Sequence, residues 1–462
     1  MGHPVVMTPT LSMLAQAGVW YDHAYSACPS CIPARRTLMT GTTPRTHGDR
    51  VFREHEPMDA SLPTLAECFS DAGYQTHAVG KLHVYPQRDR IGFDEVILNE
   101  EGRHHLGSTI ADDWELYLHD RGYGGQEFLG AGGVNEYHVC PWHLPDDCHP
   151  TNWTAKQMSR VIQRRDPRKP GFWYCSFTAP HPPMWPLRQY LDMYRDVEID
   201  PPVTGDWCGE DDLPPALQGH YAGSASAMVG APAHERELAV RAFYAALTHI
   251  DHQIRVVIGT LKEEGLLDNT IIAFTADHGD MLGDHRRWAK TVMYDNSANV
   301  PLMIIPAADD ERMAIDRHDD RLAELRDVMP TLLDLANLPI PETVEGQSLI
   351  RNERRDYLYG EHWENICATR MIRDAQYKLI YYPVGNCLQL FDMNADPREV
   401  HNLADQTAMK PVVDRLTSLL ITEMYGSDRA WIQDGKLVGI DDLPRPARGM
   451  RSLLGQRGLR SI

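Results

Sequence analysis

The stretch Ser61–Gly80, SLPTLAECFSDAGYQTHAVG, decides the fold class. Its first part, Ser61–Gly73, carries apolar residues at helical spacing between an opening Ser and a closing Gly. Its second part, Tyr74–Gly80, is a short strand. The same order recurs outward along the chain. "TAKQMSRVIQRR" precedes "GFWYCSFTA", and the long helical pattern Glu235–Gly265 precedes "TIIAFTA", Thr270–Ala276. "VPLMIIP", Val300–Pro306, is a further buried strand. Helices alternating with nearly continuous apolar strands predict an α/β layered sheet with helices on both faces. In such sheets, ligands gather at the carboxyl ends of the strands.

After about Pro341 the pattern changes. "DYLYGEH", "ATRMIRD", "YKLIYYP" and "CLQLFDM" predict a small antiparallel sheet, followed by the helix "KPVVDRLTSLLITEMYG". The expected division is a large domain over 1–345 and a small α+β subdomain with a basic tail over 346–462. The segment Glu100–Pro150, rich in Gly, His and Asp, reads as an elaborated loop.

The chain has 462 residues and a formal net charge of −20. That acidity argues against a nucleic-acid or acidic-membrane partner through its bulk field. No apolar run approaches the ~18 residues needed to cross a bilayer. The opening "MGHPVVMTPT" has no basic-then-apolar leader. The nine cysteines are sparse and irregular. This fits mostly free thiols in a reducing compartment, so the expected location is cytoplasmic. An anionic substrate would need positive charge concentrated locally.

The strand ends show where that charge lies. "QTHAVG" delivers Lys81 and His83, which would face one side if the backbone stays extended. "YCSFTAP" delivers His181, and "IIAFTA" delivers Asp277 and His278, with Gly279 permitting a turn. "RRWAKTVMYD" adds Lys290. In "YSACPSCIPARRTLMTG" a helix is expected to begin near Pro33 and close at Gly41. Cys31 then sits at the helix entrance, where free N–H groups favour an anion and lower a thiol pKa. Arg35, one turn in, offers a planar fork to oxygens. Cys28 and Cys31 could also be a CxxC redox or metal pair. Each residue singly has a bland reading as a buried thiol or a solvated cation. Their convergence at successive strand ends favours a site.

"CIPARRTLMTG" resembles the sulfatase signature C-x-P-x-R followed by a helix and Thr-Gly, and only Cys31 fits the spacing. "GKLH", "APHPP", "DHGDMLGDH" and "WAKTVMYD" resemble the later sulfatase motifs in the family's order. "DVMPTLLDLANLPIP" and "EGQSL" resemble the segment leading into its small C-terminal domain. The resemblance covers nearly the whole chain. It implies an alkaline-phosphatase-like α/β sandwich with a large central mixed sheet flanked by helices, and a small C-terminal antiparallel sheet with a helix.

It also implies that a maturation enzyme oxidises Cys31 to formylglycine, whose hydrate attacks the sulfur of a small organic sulfate ester. Asp277, His278 and residue 31 match ligands of a divalent metal, usually Ca²⁺, with Mg²⁺ or Mn²⁺ as alternatives. Arg35, Lys81 and Lys290 match groups that stabilise charge on the sulfuryl oxygens. His83 matches a base and His181 an acid near the leaving oxygen. The sequence is compatible with an oligomer. The rival readings are a phosphonate monoester or phosphodiester hydrolase, a metal-poor binder without activity, and the CxxC redox protein.

The sequence departs from the family at one place. The family's first central strand precedes the equivalent of "GHPVVMTPTLSMLA" and ends in two adjacent aspartates that bind the metal. No such pair follows a strand near the N-terminus here. Asp112-Asp113 and Asp146-Asp147 sit in the loop-like segment, and Asp211-Asp212 precedes prolines. The expectation is a natural chain that begins before Met1. Cys140, His143, Cys148 and His149 could be drawn as a zinc site, without a structural reason for one.

Overall fold

The computed structural model describes residues 2–101, 111–130, 135–209, 213–218 and 228–442. The strands of its central layer are β1 (Val19–Tyr25), β2 (Gln75–Gly80), β3 (Glu95–Leu98), β4 (Gly171–Ser176), β5 (Ile272–Thr275), β6 (Leu302–Ile305) and β7 (Arg317–Glu324). They form two sheets. One is mixed, in the order β5-β6-β1-β7, with β6 antiparallel to β1 and β5 and with β7 parallel to β1. The other is parallel throughout, in the order β3-β2-β4. Helices cover both faces, as the strand composition predicts. Ile304 and Leu302 on β6 pack with Leu38 of the helix Cys31–Thr40. Met303 and Ile305 pack with Leu11 and Leu14 on the opposite side. The four residues of β6 are all buried, because the strand has neighbours on both edges.

The first helix of the deciding stretch runs from Leu65 to Asp71, starting later than its opening Ser suggested. Thr64 is the true cap: its hydroxyl accepts from the Glu67 N–H while the Glu67 side chain accepts from the Thr64 N–H. That reciprocal pair satisfies two otherwise free donors and outcompetes Ser61. The long helix spans Ala233–Glu263.

Beyond it the chain forms β8 (Tyr357–His362), β9 (Thr369–Asp374), β10 (Tyr377–Tyr382) and β11 (Cys387–Asp392) in one antiparallel sheet. The helix Lys410–Glu423 packs Leu416 and Leu420 against Ile372, Leu379 and Leu390 of that sheet. Arg50 ties the sheet to the larger layer through Glu361 and Asp428, at 2.9 and 3.0 Å. The arginine-rich tail lies outside the described residues. Among the described residues, no helix is long and apolar enough to cross a membrane.

The loop-like segment holds more order than its composition suggested, including the helix Asp113–Asp120. Its Asp-Asp pairs are structural. Asp112 caps that helix by accepting from the Glu115 N–H, and Asp113 pairs with Arg88 at 3.1 Å. Asp147 pairs with Arg121 at 2.7 Å. Asp211-Asp212 lies outside the described residues. The four residues drawn as a zinc site have other engagements: His143 Nε2 meets the Gln126 carbonyl at 2.8 Å, and His149 Nε2 meets the Trp185 carbonyl at 2.9 Å.

Candidate active site

The helix Cys31–Thr40 starts where the sequence predicts, with Ser30 extended before it and Gly41 left-handed after it. Cys31 is therefore its first residue, and Arg35 lies one turn on along the same side. The thiol of Cys31 meets His278 Nε2 at 3.2 Å. The thiol of Cys28 points elsewhere, 3.8 Å from the carbonyl of Arg50, and both cysteines are free. A CxxC pair needs its two sulfurs to converge, and these diverge.

Arg35 spans the mouths of both sheets. Its Nε donates to Asp277 Oδ2 at 2.9 Å, just past β5. Its Nη1 donates to the Lys81 carbonyl at 2.8 Å, just past β2, and to Ser176 Oγ at 3.1 Å, at the end of β4. Lys81 Nζ donates to Glu101 Oε1 at 2.9 Å. Lys290 Nζ donates to His181 Nε2 at 2.7 Å, and His181 Nδ1 meets the Pro182 carbonyl at 2.7 Å. Because Nε2 accepts from an ammonium, the proton of this imidazole sits on Nδ1. Arg35, Lys81, His181, Asp277, His278 and Lys290 all line one cavity.

Two glycines are required by close approach. A Cβ on Gly80 would stand 1.9 Å from the Ser176 carbonyl oxygen, so the turn that delivers Lys81 needs glycine there. A Cβ on Gly279 would stand 2.1 Å from the Asn296 carbonyl oxygen. Gly279 is not among the left-handed residues, so clearance rather than turn geometry explains it.

His83 departs from expectation. The strand ends at Gly80, and His83 has φ 59°, so the path is not extended and Lys81 and His83 do not share a side. The His83 ring packs edge-on against Phe52 at 5.5 Å and lines a small cavity with Ile32, Arg35 and Arg36. Its N–H is held by Glu100 at 2.9 Å.

Burial alone would raise the Cys31 thiol, but Lys290, Lys81 and His278 hold it well below its ordinary value. Burial would also disfavour a charged His278, yet Asp277 and Cys31 outweigh it and raise its pKa. Asp277 is likewise opposed by burial, and is brought down to about 2 by His278 and Arg35. The centre is thus an interlocked set of charges around Cys31. Burial, reinforced by Lys290 and Lys81, lowers His181 to about 4, with Glu101 opposing. His181 is neutral at pH 7.

Glu101 is the residue that sequence reasoning missed. It bonds Lys81 and lies 3.6 Å from His181 Nδ1, and it is buried. The available signal was one more strand end: "EVIL" is β3, and it runs into Asn99, Glu100 and Glu101.

Cys31, Asp277 and His278 bring one sulfur, one carboxylate and one imidazole within 4.8 Å of one another, the one such group among the described residues. Calcium takes about six to eight oxygens. One carboxylate, already engaged by Arg35, does not by itself make a calcium site.

Residues 1–338 match the Sulfatase family model, and residues 283–425 match the model named N-sulphoglucosamine sulphohydrolase, C-terminal. The chain is 35% identical to an arylsulfatase of Clostridium perfringens, across 95% of this chain and 93% of that one. It is 30% identical to a choline-sulfatase of Rhizobium meliloti, across 90% and 81%. Among solved structures, it superposes on a phosphonate monoester hydrolase of Agrobacterium radiobacter with a TM-score of 0.77 at 24% identity, covering 91% of each chain. With the motifs converged on Cys31 and the family match spanning most of its length, the chain belongs to the sulfatase family of sulfuric ester hydrolases, with the alkaline-phosphatase-like fold.

Proposed function

We propose that this protein hydrolyses the sulfate ester of a small organic molecule, aryl or alkyl, using residue 31 as formylglycine after action of a maturation enzyme, with a divalent metal as cofactor. The observation that carries this reading is the cationic ring around Cys31. An acidic chain concentrates Arg35, Lys81 and Lys290 at one point, which suits a tetrahedral sulfuryl group.

Formylglycine at residue 31 would supply a hydrated aldehyde: one hydroxyl would bond to sulfur as the ester S–O bond breaks and the protonated alcohol leaves, and deprotonation of the other would reform the C=O bond and expel sulfate. The remaining work falls to the side chains. Lys81 and Lys290 hold the sulfuryl oxygens, and Arg35 fixes Asp277 and the ends of β2 and β4 around them. His181 accepts from Lys290, so this pair stands ready to pass a proton to the leaving oxygen. Asp277 and His278 stand beside residue 31, where they would supply one carboxylate and one imidazole to a divalent metal that polarises the sulfuryl oxygens.

Turnover of nitrophenyl sulfate beside nitrophenyl phenylphosphonate tests the reading. A preference for the sulfate supports it, and a large preference for the phosphonate replaces it with phosphonate monoester hydrolysis. Turnover of neither by protein carrying formylglycine would leave a binder without activity.

A further inference from the structure

Lys290 reaches His181 from the loop 280–291, and that loop is strained. Leu282, His285, Arg286, Ala289 and Thr291 have φ between 46° and 80°, the left-handed region that residues with a Cβ avoid. Such conformations persist only where the surroundings hold them. Ala289 and Thr291 bracket Lys290, so whatever holds them also sets where its side chain starts. The middle of the loop is tied to Val203, whose carbonyl accepts from the His285 N–H at 2.6 Å and whose N–H donates to Asp284 Oδ1 at 2.8 Å. After Lys290, the Thr291 N–H donates at 3.1 Å to the carbonyl of Pro29, two residues before Cys31. Before Lys290, Asp280 Oδ1 accepts from the Leu282 and Ala289 N–H groups, each at 3.0 Å. One carboxylate oxygen thus pins two left-handed residues at once.

The other oxygen, Asp280 Oδ2, accepts from the Tyr137 hydroxyl. Tyr137 is buried, and its ring meets Trp288 edge-on at 4.9 Å, so it touches the loop both before and after its middle. Its own segment is tied to the chain that follows His181. Val139 pairs with Met184, the Cys140 N–H donates to the Met184 carbonyl at 3.1 Å, and the Trp142 N–H donates to the Pro186 carbonyl at 3.0 Å. Tyr137, Met184 and Trp288 belong to one apolar cluster. The segment Tyr137–Trp142 therefore spans the two loops whose side chains meet at Lys290 Nζ and His181 Nε2, 2.7 Å apart.

We propose that Tyr137 and Asp280 are positioning residues for the reaction: together they form a brace that sets Lys290 against His181 and so controls how well that pair serves the leaving oxygen. The proposal rests on the sulfatase reading of the pair. It deepens that reading by tying the rate to a hydroxyl and a carboxylate that act through Lys290 rather than on the substrate. A misplacement of ~1 Å at such a pair costs on the order of a hundredfold in rate. The loss falls on esters whose leaving oxygen needs a proton. Phenolate is such a group, whereas nitrophenolate is a far weaker base and departs nearly unaided.

The test compares phenyl sulfate with nitrophenyl sulfate on protein carrying formylglycine. Tyr137→Phe is expected to lower kcat for phenyl sulfate by about tenfold or more and for nitrophenyl sulfate by less than about threefold, with KM nearly unchanged. Asp280→Ala gives a larger loss with the same bias. Asp280→Asn recovers most of it, because the amide oxygen still accepts from Leu282 and Ala289 and the NH₂ group can donate to the Tyr137 oxygen. Equal losses on both esters overturn the proposal and mark a merely structural contact. Asp280→Asn as damaging as Asp280→Ala also overturns it and assigns the role to the charge itself. Amide exchange tests the brace without turnover. Exchange at Leu282 and Ala289 is expected to quicken by about tenfold or more in Asp280→Ala and by about threefold in Tyr137→Phe, and to return toward the wild-type rate in Asp280→Asn. Unchanged exchange in the first two variants overturns the brace even where turnover falls. Wild-type protein that hydrolyses neither ester refutes the sulfatase reading, and the exchange result then decides the brace by itself.

Discussion

The Nε2 of His278 stands 3.2 Å from the thiol of Cys31, while the thiol of Cys28, three residues earlier, faces the Arg50 carbonyl. One cysteine of the pair is therefore inside the charged centre and the other is packing. Cys31→Ala is expected to lower kcat by at least about a thousandfold, the scale at which a nucleophile is lost. Cys28→Ala retains activity and costs about 1 kcal/mol of stability, as a small buried truncation does. Parallel kinetics and thermal melts check both.

Arg35 is the joint between the strand ends, through Asp277, Lys81 and Ser176. Arg35→Ala removes the guanidinium that holds Asp277 Oδ2 and leaves that buried carboxylate oxygen without its ion pair. A loss of about 3 kcal/mol in chemical denaturation is expected, together with loss of activity. Arg35→Lys restores the charge without the fork, so it recovers stability more than turnover.

Glu101→Gln keeps the shape of the side chain and removes its charge beside Lys81 and His181. Because Glu101 opposes the lowering of His181, its loss drives the imidazole still further below about 4. We expect kcat to fall roughly tenfold to a hundredfold with little change in KM, and the acid limb of the rate profile to move to lower pH. An unchanged pH profile would reduce Glu101 to a structural role.

Much of this organisation is visible in the sequence, and the omissions have physical causes. "TIIAFTA" and "VPLMIIP" read as strands because both faces of the layer are covered, so nearly every residue is apolar. β7, RHDDRLAE, does not read that way: its first half is mostly exposed, and only its second half enters the core. β1, VWYDHAY, is interrupted by Asp22 and His23, which are only half-buried. The motif residues were legible because strand ends point them at one place. The expected alternation of Lys81 and His83 failed because it holds only on extended backbone, and the chain leaves that conformation after Gly80. Glu101 was missed because its strand is short and precedes a segment of loop composition.

His47, His149 and His249 are buried and neutral, lowered by burial first to about 3, about 4 and about 2. The unfolded chain titrates near 6.5, so it takes up protons that the folded chain refuses. Their contribution is complete above that value and is lost as pH falls from 6.5 toward the folded values. Each accounts for about 2 kcal/mol between pH 6.5 and 5. Denaturation curves across that range should show stability falling steeply, with His149→Gln flattening the slope.

The most direct test of the account is the mass of the peptide containing residue 31, taken from protein made in its native host. Replacement of the thiol by an aldehyde lowers that mass by about 18 Da, and the account predicts this loss at Cys31 and at no other cysteine. An unmodified thiol at residue 31 in protein that turns over sulfate esters would contradict it.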